Sequence, residues 1–301
     1  MKKIIIIGAS AAGHNVAVNL RQSNNDCSIT LLTEESYPFY DRSKLFNLVS
    51  SEMKEKDIFL ASPDFYKQKN IEFLSDTRVT LVNAQKRVVY CKEKEALGYD
   101  FLVVCSGRKF ILPDIPGAKK NGVFCFYSLA DLKKIEGYFV GDTVCLAGRD
   151  GLVMKAAASF AAKNKEIKVI NTSASGALKE DSAEPGAEKR IEVINSNLLE
   201  IIGESQVQAV KLSEGKIIGA SAVIFMDELK SNIDFLKNTG VEINADFISV
   251  DAEMRTSISN IFSCGLASKV KGADDSVKGF DTISNESRIL AETLVKALAQ
   301  Q

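Results

Sequence analysis

The residues near the N-terminus that could do chemistry are Gly8, Ser10 and Gly13, which fit the pattern Gly-x-Gly-x-x-Gly with a serine at the middle position. They follow an apolar run, IIIIG, and open a segment with helical spacing. In such a motif the first glycine permits a tight turn, a small middle residue admits a pyrophosphate, and the last glycine lets the helix pack close to the strand. The start of the helix, with Ala11 and Ala12 in its first turn, offers free N–H groups to phosphates. The motif therefore predicts a dinucleotide site, and the alternative is a glycine-rich turn with a purely structural role.

Two acidic residues extend this prediction. A dinucleotide site of this type uses an acid about 20 residues after the motif to bind ribose hydroxyls. Glu34 and Glu35 stand just after the next apolar strand, SITLLT, and are the candidates; the alternative is a solvated loop end. His14 falls in the first turn of the helix, where we expect it to be packed or to face solvent rather than to bind phosphate.

The elements that would position these residues alternate between strand and helix. The first segment predicts strand, turn, helix and strand, which gives a parallel pair with a right-handed crossover. Residues 143–170 repeat this plan, and Pro113 and Pro116 mark a connection between the two units. We therefore predict an α/β chain with two Rossmann-like domains, the second inserted in the first. The predicted domains are residues 1–112 with 243–301, and residues 113–242.

Composition limits the possible function classes. The balance of 38 basic and 39 acidic residues leaves no basic excess for nucleic acid or a membrane surface, so we expect neither as a partner. No apolar run reaches the roughly 18 residues of a transmembrane helix. The apolar run after Lys3 is too short for a signal peptide and predicts a first core strand, so we expect a cytoplasmic protein.

The cysteines and the single histidine predict no redox disulfide and no metal site. The six cysteines include no pair that is close in sequence, and most lie inside apolar strand-like runs. Buried thiols in a reducing compartment are the expected arrangement. With one histidine, the chain shows no cluster of Cys, His and carboxylate residues at metal-ligand spacing.

Three segments together resemble a known family. The segment TEESYPFYDRSKL resembles the Glu-x-x-x-x-Pro-Tyr-x-Arg-Pro-x-Leu stretch of pyridine nucleotide–disulfide oxidoreductases of the NADH:rubredoxin reductase type, also carried by the flavoprotein part of NADH-dependent nitrite reductases. FLVVCSGRKFILPDIPG resembles the family's LVIATGSRPxxPxIPG, and DFISVDAEMRTSISNIFSCG resembles its GIxVDExLRTSxPxIYAxGD. The resemblance covers nearly the whole chain in order. It implies an FAD-dependent oxidoreductase with the flavin cofactor in the N-terminal domain.

The resemblance also implies roles for individual residues. By it, the glycine motif would hold the FAD pyrophosphate, and Glu35 would bind the adenosine ribose. Arg42 would reach the flavin side of the cofactor, and Val79 would meet the adenine through its backbone. The residues that would pack against FAD where the domains join, or turn beside it, are Ser106, Gly107 and Gly265.

Three departures from the family pattern affect the expected chemistry. Leu266 stands where the family has the aspartate that binds the ribityl chain. In the second glycine motif, Asp150 and Val153 replace two glycines, and Asn171 stands where an acid is expected. Asp150 would repel a pyrophosphate and Val153 would push the helix off the strand, so NAD(P)H binding is doubtful. The chain also stops where the family continues with a C-terminal domain, and it is shortened between Asn171 and Arg190.

Three functions follow from these observations. The first is an FAD-bearing oxidoreductase that exchanges electrons with a redox partner protein, such as an iron–sulfur or rubredoxin-like protein. The second is a complete NAD(P)H-dependent rubredoxin or ferredoxin-type reductase. The third is a non-catalytic regulatory or assembly protein on the same fold. The sequence names no general acid, base or nucleophile; Arg42 and Lys44 are the charged candidates beside a flavin, and either could instead form a surface ion pair.

Overall fold

A computed structural model describes residues 1–92, 95–138, 142–163, 165–173, 190–274 and 278–300. The chain forms two compact units. The first consists of Met1–Tyr40, Phe59–Arg108 and Ser231–Gln301, and the second of Asp41–Ile58 and Lys109–Lys230. Parallel sheets in both units confirm the predicted fold class, with the second unit inserted in the first.

The strands and helices of the described chain alternate along most of its length. The strands are β1 (Lys2–Ile7), β2 (Cys27–Leu32), β3 (Ile71–Leu74), β4 (Val79–Asn83), β5 (Val88–Cys91), β6 (Leu97–Gly98), β7 (Phe101–Val104), β8 (Arg108–Phe110), β9 (Val123–Cys125), β10 (Thr143–Gly148), β11 (Glu166–Asn171), β12 (Ile191–Asn195), β13 (Leu198–Ile202), β14 (Ala209–Leu212), β15 (Ile217–Gly219), β16 (Ala222–Met226), β17 (Leu229–Ser231), β18 (Ile243–Asn244), β19 (Phe247–Val250), β20 (Ile261–Ser263) and β21 (Ser268–Val270). The α-helices are α1 (Ala11–Ser23), α2 (Leu45–Ser50), α3 (Pro63–Gln68), α4 (Leu129–Tyr138), α5 (Gly151–Ala162) and α6 (Phe280–Ala299).

The first unit is built around a parallel sheet of five strands in the order β3-β2-β1-β7-β20. This is the strand order of a nucleotide-binding half, in which the C-terminal ends of β1, β7 and β20 meet at one edge. The run from Ile4 to Ile7 is buried because a parallel sheet covered on both faces needs apolar side chains on both. Helix α1 joins β1 to β2 and packs against α6.

In the sequence, Ile289, Leu290, Leu294 and Leu298 recur at helical spacing, which predicts a core-facing stripe. The C-terminal helix α6 covers the core of the first unit. Leu290 and Leu294 are fully buried, and Ile289 and Leu298 pack partly buried against the same core. This helical stripe is therefore core-facing, and the helix is held against α1 by burial of its apolar side chains.

The second unit repeats the plan. Its parallel sheet has five strands in the order β12-β11-β10-β16-β9, and α5 joins β10 to β11. An antiparallel sheet of β13, β14 and β15 follows in the chain. The segment SASGALKEDSAEPGAEK is polar and contains proline and glycine, which predicts a loop. This loop and the shortening between Asn171 and Arg190 fall mainly on residues 174–189, which lie outside the described residues.

One segment is grouped differently from the sequence-based boundaries. The sequence places residues 41–58 in the first domain, whereas the structure groups Asp41–Ile58 with the second unit. The reason is packing: α2 contacts α5, and the ring of Phe46 meets that of Phe126 with 5.6 Å between centroids. The breaks along the chain fall after Arg108 and before Ser231, rather than at 112 and 243.

Within the described residues, no helix is both long and apolar enough to span a membrane. The same residues contain no group of three or more His, Cys, Asp or Glu side chains placed to hold a metal ion.

Candidate functional site

The turn after β1 requires its two glycines. Gly8 has a φ of +103°, and a Cβ there would lie 2.2 Å from the carbonyl oxygen of Cys105. A Cβ on Gly13 would lie 1.8 Å from the carbonyl oxygen of Gly8. Neither position can take a side chain, because the obstructing atoms belong to the backbone. The close approach of helix and strand that the sequence predicts is therefore present.

The N-terminus of α1 is open, in the sense that its N-cap side chain does not bind the free N–H groups of the first turn. Ser10 occupies the N-cap position with extended backbone, and its side chain makes no capping hydrogen bond. The first turn, which contains Ala11 and Ala12, carries no acidic residue. The first N–H groups of a helix have no acceptor within the helix itself. Together with the helix dipole they form a site for an anion such as a pyrophosphate.

The ends of β7 and β20 meet this helix N-terminus. Ser106 follows β7, and its buried Oγ has no hydrogen-bond partner among the described residues. Gly107 has a φ of +67°, and a Cβ there would meet nothing within 4 Å. Gly265 has a φ of +83°, and a Cβ there would lie 2.7 Å from the Cβ of Ala12. An unpartnered hydroxyl and open backbone beside a helix N-terminus fit a bound polar cofactor.

The two acids lie at the end of β2, next to β1 in the sheet. The hydroxyl of Tyr40 donates to Oε2 of Glu35 at 2.7 Å. Glu34 accepts a hydrogen bond of 3.3 Å from Nδ2 of Asn232, and its Oε2 lies 3.9 Å from Nε of Arg78. Both carboxylates therefore stand at the sheet edge where the motif needs a ribose-binding acid, and their individual roles stay predictions.

Three further candidates have these positions. Val79 opens β4, where it pairs with Cys91, and its contact with adenine stays a prediction. Arg42 belongs to the second unit, where Nη1 donates to the Tyr127 carbonyl at 3.1 Å and the guanidinium lies 5.2 Å from the centre of the Tyr127 ring. Lys44 forms an ion pair with Asp41, with 3.8 Å between Nζ and Oδ2. This matches the surface ion pair that the sequence offers as the alternative for Lys44.

His14 is packed in an aromatic cluster that the sequence did not predict. Its Nδ1 lies 2.9 Å from the hydroxyl of Tyr66, and its ring centre is 4.6 Å from that of Phe39 and 5.6 Å from that of Phe65. Burial and, to a smaller extent, the positive charge of Lys69 lower the pKa of His14 to about 4. The imidazole is therefore neutral near pH 7, and it supplies packing rather than positive charge to the turn.

The lowered pKa of His14 makes stability depend on pH. In the unfolded chain a histidine titrates near pH 6.5, so between that pH and about 4 the unfolded state binds more protons. We expect the free energy of unfolding to fall by about 2 kcal/mol between about pH 7.5 and about pH 5. Urea unfolding at both pH values, with the same added cofactor, measures this. His14→Phe keeps an aromatic ring and should remove that component; an unchanged pH dependence in this variant would contradict the prediction.

At the second motif, the N-terminus of α5 is capped by a side chain of the protein. Asp150 is the N-cap, and its Oδ1 accepts the N–H of Leu152 at 2.9 Å. Its carbonyl oxygen accepts the N–H of Val153 at 3.3 Å. Val153 is fully buried, and it is accommodated because Gly148 has no side chain: a Cβ there would lie 2.9 Å from the Cβ of Val153. The carboxylate thus accepts an N–H group that a helix N-terminus would otherwise offer to a pyrophosphate.

Asn171 stands where the second unit would need an acid to bind ribose, and its side-chain amide is hydrogen-bonded within the protein. Nδ2 of buried Asn171 donates to Oδ1 of Asn195 at 2.7 Å, and its Oδ1 accepts the N–H of Ser173 at 3.1 Å. Beside it, Arg149 forms an ion pair with Asp227.

The ion pair of Arg149 sits in an acidic setting. The hydrogen bond with Asp227 raises the pKa of Arg149, and the charges of Asp227, Glu228 and Asp150 raise it further, whereas burial opposes them. One cation therefore faces three carboxylates. Asp150, Asn171 and Arg149 are therefore all bonded to other groups of the protein at the second motif.

Two cysteines that are far apart in sequence are neighbours in space, a contact that their sequence spacing does not show. The Sγ atoms of Cys105 and Cys264 lie 3.6 Å apart, because these residues directly follow the adjacent strands β7 and β20. The hydrogen bond with Cys264 and complete burial raise the pKa of the Cys105 thiol well above its usual value. Both are free thiols. The raised pKa of Cys105 disfavours its nucleophilic thiolate form.

Comparison with known proteins finds a matching family model and several similar proteins. The family model described as pyridine nucleotide-disulphide oxidoreductase matches residues 2–279. An NADH oxidase from Methanocaldococcus jannaschii is 28% identical over 304 residues, which covers 95% of this chain and 66% of that protein. An assimilatory nitrate reductase electron transfer subunit from Bacillus subtilis is 25% identical over 284 residues, which covers 90% of this chain and 36% of that protein. The chain thus spans between about a third and two thirds of the length of these relatives.

The fold is similar to that of a solved complex. A chain in the crystal structure of the covalent putidaredoxin reductase–putidaredoxin complex matches with a TM-score of 0.85 and 20% identity, covering 98% of this chain and 75% of that one. At this identity the similarity concerns the fold alone.

Proposed function

This chain belongs to the pyridine nucleotide-disulphide oxidoreductase family, and on that premise we propose that it is a flavoprotein that binds FAD in its first unit and exchanges electrons with a redox partner protein. When bound, the flavin supplies the electron-transfer chemistry, and the protein supplies its binding, orientation and electrostatic environment. The rest of the proposal concerns the residues that would hold this cofactor.

The first unit fits FAD. The open N-terminus of α1 would take the pyrophosphate, with Gly8 and Gly13 allowing its close approach. The unpartnered Oγ of Ser106 would find an acceptor or donor on the cofactor. Glu35, at the end of β2, would bind the adenosine ribose. These four features fit a dinucleotide, and family membership favours FAD as that dinucleotide.

One observation supports a proposal about how electrons reach the flavin: the two helix N-termini differ. At α1 the N-cap Ser10 makes no side-chain hydrogen bond, whereas at α5 the carboxylate of Asp150 binds the N–H of Leu152. A bound pyrophosphate at α5 would have to displace this carboxylate or lie against its charge. We therefore propose that NAD(P)H is not the direct electron donor, and that a partner protein reduces or oxidises the flavin.

The chemistry of the partner follows from this role. It must be a one- or two-electron carrier, and an iron–sulfur or rubredoxin-like protein meets that need. The similarity to an assimilatory nitrate reductase electron transfer subunit supports the proposal.

A complete NAD(P)H-dependent reductase is the second candidate. Thr172 follows β11, its N–H donates to the carbonyl of Gly148, and its buried Oγ1 has no partner among the described residues. That hydroxyl could bind a ligand at the second motif. The similarity to an NADH oxidase also favours this candidate.

The experiment is a visible spectrum of the purified protein, followed by denaturation and identification of the released cofactor. We expect FAD equimolar with the chain. The flavin is then mixed anaerobically with NADH, NADPH or dithionite. Bleaching by dithionite but not by either nucleotide within seconds supports partner-dependent electron transfer. Rapid bleaching by NADH or NADPH favours the complete reductase, and a colourless protein that takes up no added FAD overturns both.

A further inference from the structure

A buried ion pair holds the turn that follows β20. Oε2 of Glu286, on α6, accepts the N–H of Gly265 at 2.9 Å. Nζ of Lys278 donates to the carbonyl oxygens of Gly265 at 3.1 Å and Ser268 at 2.8 Å. The two charges meet with 2.6 Å between Nζ and Oε1. The turn is thus bound through both its N–H and its carbonyl groups.

Burying the two charges of this pair costs desolvation free energy, so the pair calls for a structural explanation. The side chains of Lys278 and Glu286 are 17% and 7% exposed, so both charges have lost most of their water. A buried ion pair is often no more stabilising than apolar residues of the same volume. Stability alone is therefore weak grounds for it. The hydrogen bonds it makes are directed at one turn, which indicates that the pair fixes that turn's geometry.

The position of the turn connects the pair to the cofactor site. A Cβ on Gly265 would lie 2.7 Å from the Cβ of Ala12, so the turn lies against the first turn of α1, where the pyrophosphate would bind. The next residue is Leu266, which cannot form the hydrogen bond that an acid at this position would form. Glu286 brings a carboxylate to the same turn from α6, but its Oε2 is committed to the Gly265 N–H.

We propose that Lys278 and Glu286 are positioning residues that hold the Gly265 turn against the N-terminus of α1 and so set the affinity for FAD, in place of the direct contact that Leu266 cannot make. The inference rests on the proposed binding of FAD. It predicts that the affinity depends on this pair even though neither side chain needs to touch the cofactor.

The test uses the double variant Lys278→Met/Glu286→Gln, which leaves no unpaired buried charge and so avoids the destabilisation expected of each single change. FAD affinity is measured by fluorescence titration of flavin-free protein, below the unfolding temperature of every variant. Visible circular dichroism of the bound flavin reports its placement, which a loss of stability alone would not change. We expect affinity to fall about tenfold or more and the dichroism to change.

The matched control is the exposed pair Lys271 and Glu242, whose Nζ and Oε2 atoms are 2.8 Å apart in the same unit. Lys271→Met/Glu242→Gln should keep wild-type affinity. Lys278→Arg, which keeps the positive charge opposite Glu286, should retain part of the dichroism that Lys278→Met/Glu286→Gln loses. A folded Lys278→Met/Glu286→Gln variant with wild-type affinity and dichroism would overturn this inference alone. Failure of the wild-type protein to bind FAD would overturn it together with the proposed function.

Discussion

Gly13→Ala should abolish FAD uptake and lower the free energy of unfolding by about 3 kcal/mol. The added Cβ would lie 1.8 Å from the carbonyl oxygen of Gly8, and that atom is backbone, so α1 must move away from β1. This displaces the N–H groups that the pyrophosphate needs. The cofactor content of the purified variant and its urea unfolding curve measure both effects.

The second unit supplies the matched control. Gly151 opens α5, and a Cβ there would meet nothing within 4 Å. Gly151→Ala should therefore change the free energy of unfolding by no more than about 1 kcal/mol and leave FAD content unchanged. Equal FAD content in Gly13→Ala and wild type would show that the first motif does not bind the cofactor.

If Gly13→Ala does not fold, Ser10→Asp tests the same site. Aspartate is a good N-cap, so this variant should keep α1 and the fold. It places a carboxylate where α5 already carries Asp150, and it should sharply weaken FAD binding by repulsion.

Asp150→Gly should strengthen NADH binding by about tenfold to a hundredfold or more. Removing the carboxylate frees the N–H of Leu152 and removes a negative charge from the N-terminus of α5. Asp150→Asn separates the two effects, because asparagine keeps the cap while losing the charge. We expect the affinity to rise from wild type to Asp150→Asn to Asp150→Gly, measured by calorimetric titration with NADH and NADPH.

An exposed aspartate in the same unit provides a control for the removal of a negative charge. Asp142 lies 3.6 Å from the Nζ of Lys165 and its side chain is 94% exposed, so Asp142→Asn should leave nucleotide binding as it is. The wild-type protein could instead bind NADH tightly, with no higher affinity in either Asp150 variant. That result would contradict the proposal that Asp150 prevents nucleotide binding at the second motif, and it would favour the complete reductase.

The helix N-termini show how far sequence reasoning reaches. The spacing of Gly8, Ser10 and Gly13 after an apolar strand predicts the turn because the geometry depends only on neighbouring residues. The same local logic identifies Asp150 as the residue that disturbs the second motif. The sequence cannot show that its carboxylate binds the N–H of Leu152, since that depends on a side-chain orientation.

Features formed by residues far apart in the chain are decided by tertiary structure. The 3.6 Å contact of Cys105 and Cys264 exists because β7 and β20 are adjacent in the sheet, an order that sequence spacing does not reveal. The aromatic cluster around His14 requires α3 to pack beside the first turn of α1. These contacts arise from sheet order and packing.

The sequence by itself determined the α/β class, the two repeated strand–helix units and the difference between their motifs, because strand and helix periodicity and turn chemistry act over short distances. Only the tertiary structure decided that Asp41–Ile58 packs with the second unit and that the pair of Lys278 and Glu286 holds the Gly265 turn. Burial and hydrogen bonding between distant segments are set when the chain closes its cores, and they leave no local pattern in the sequence.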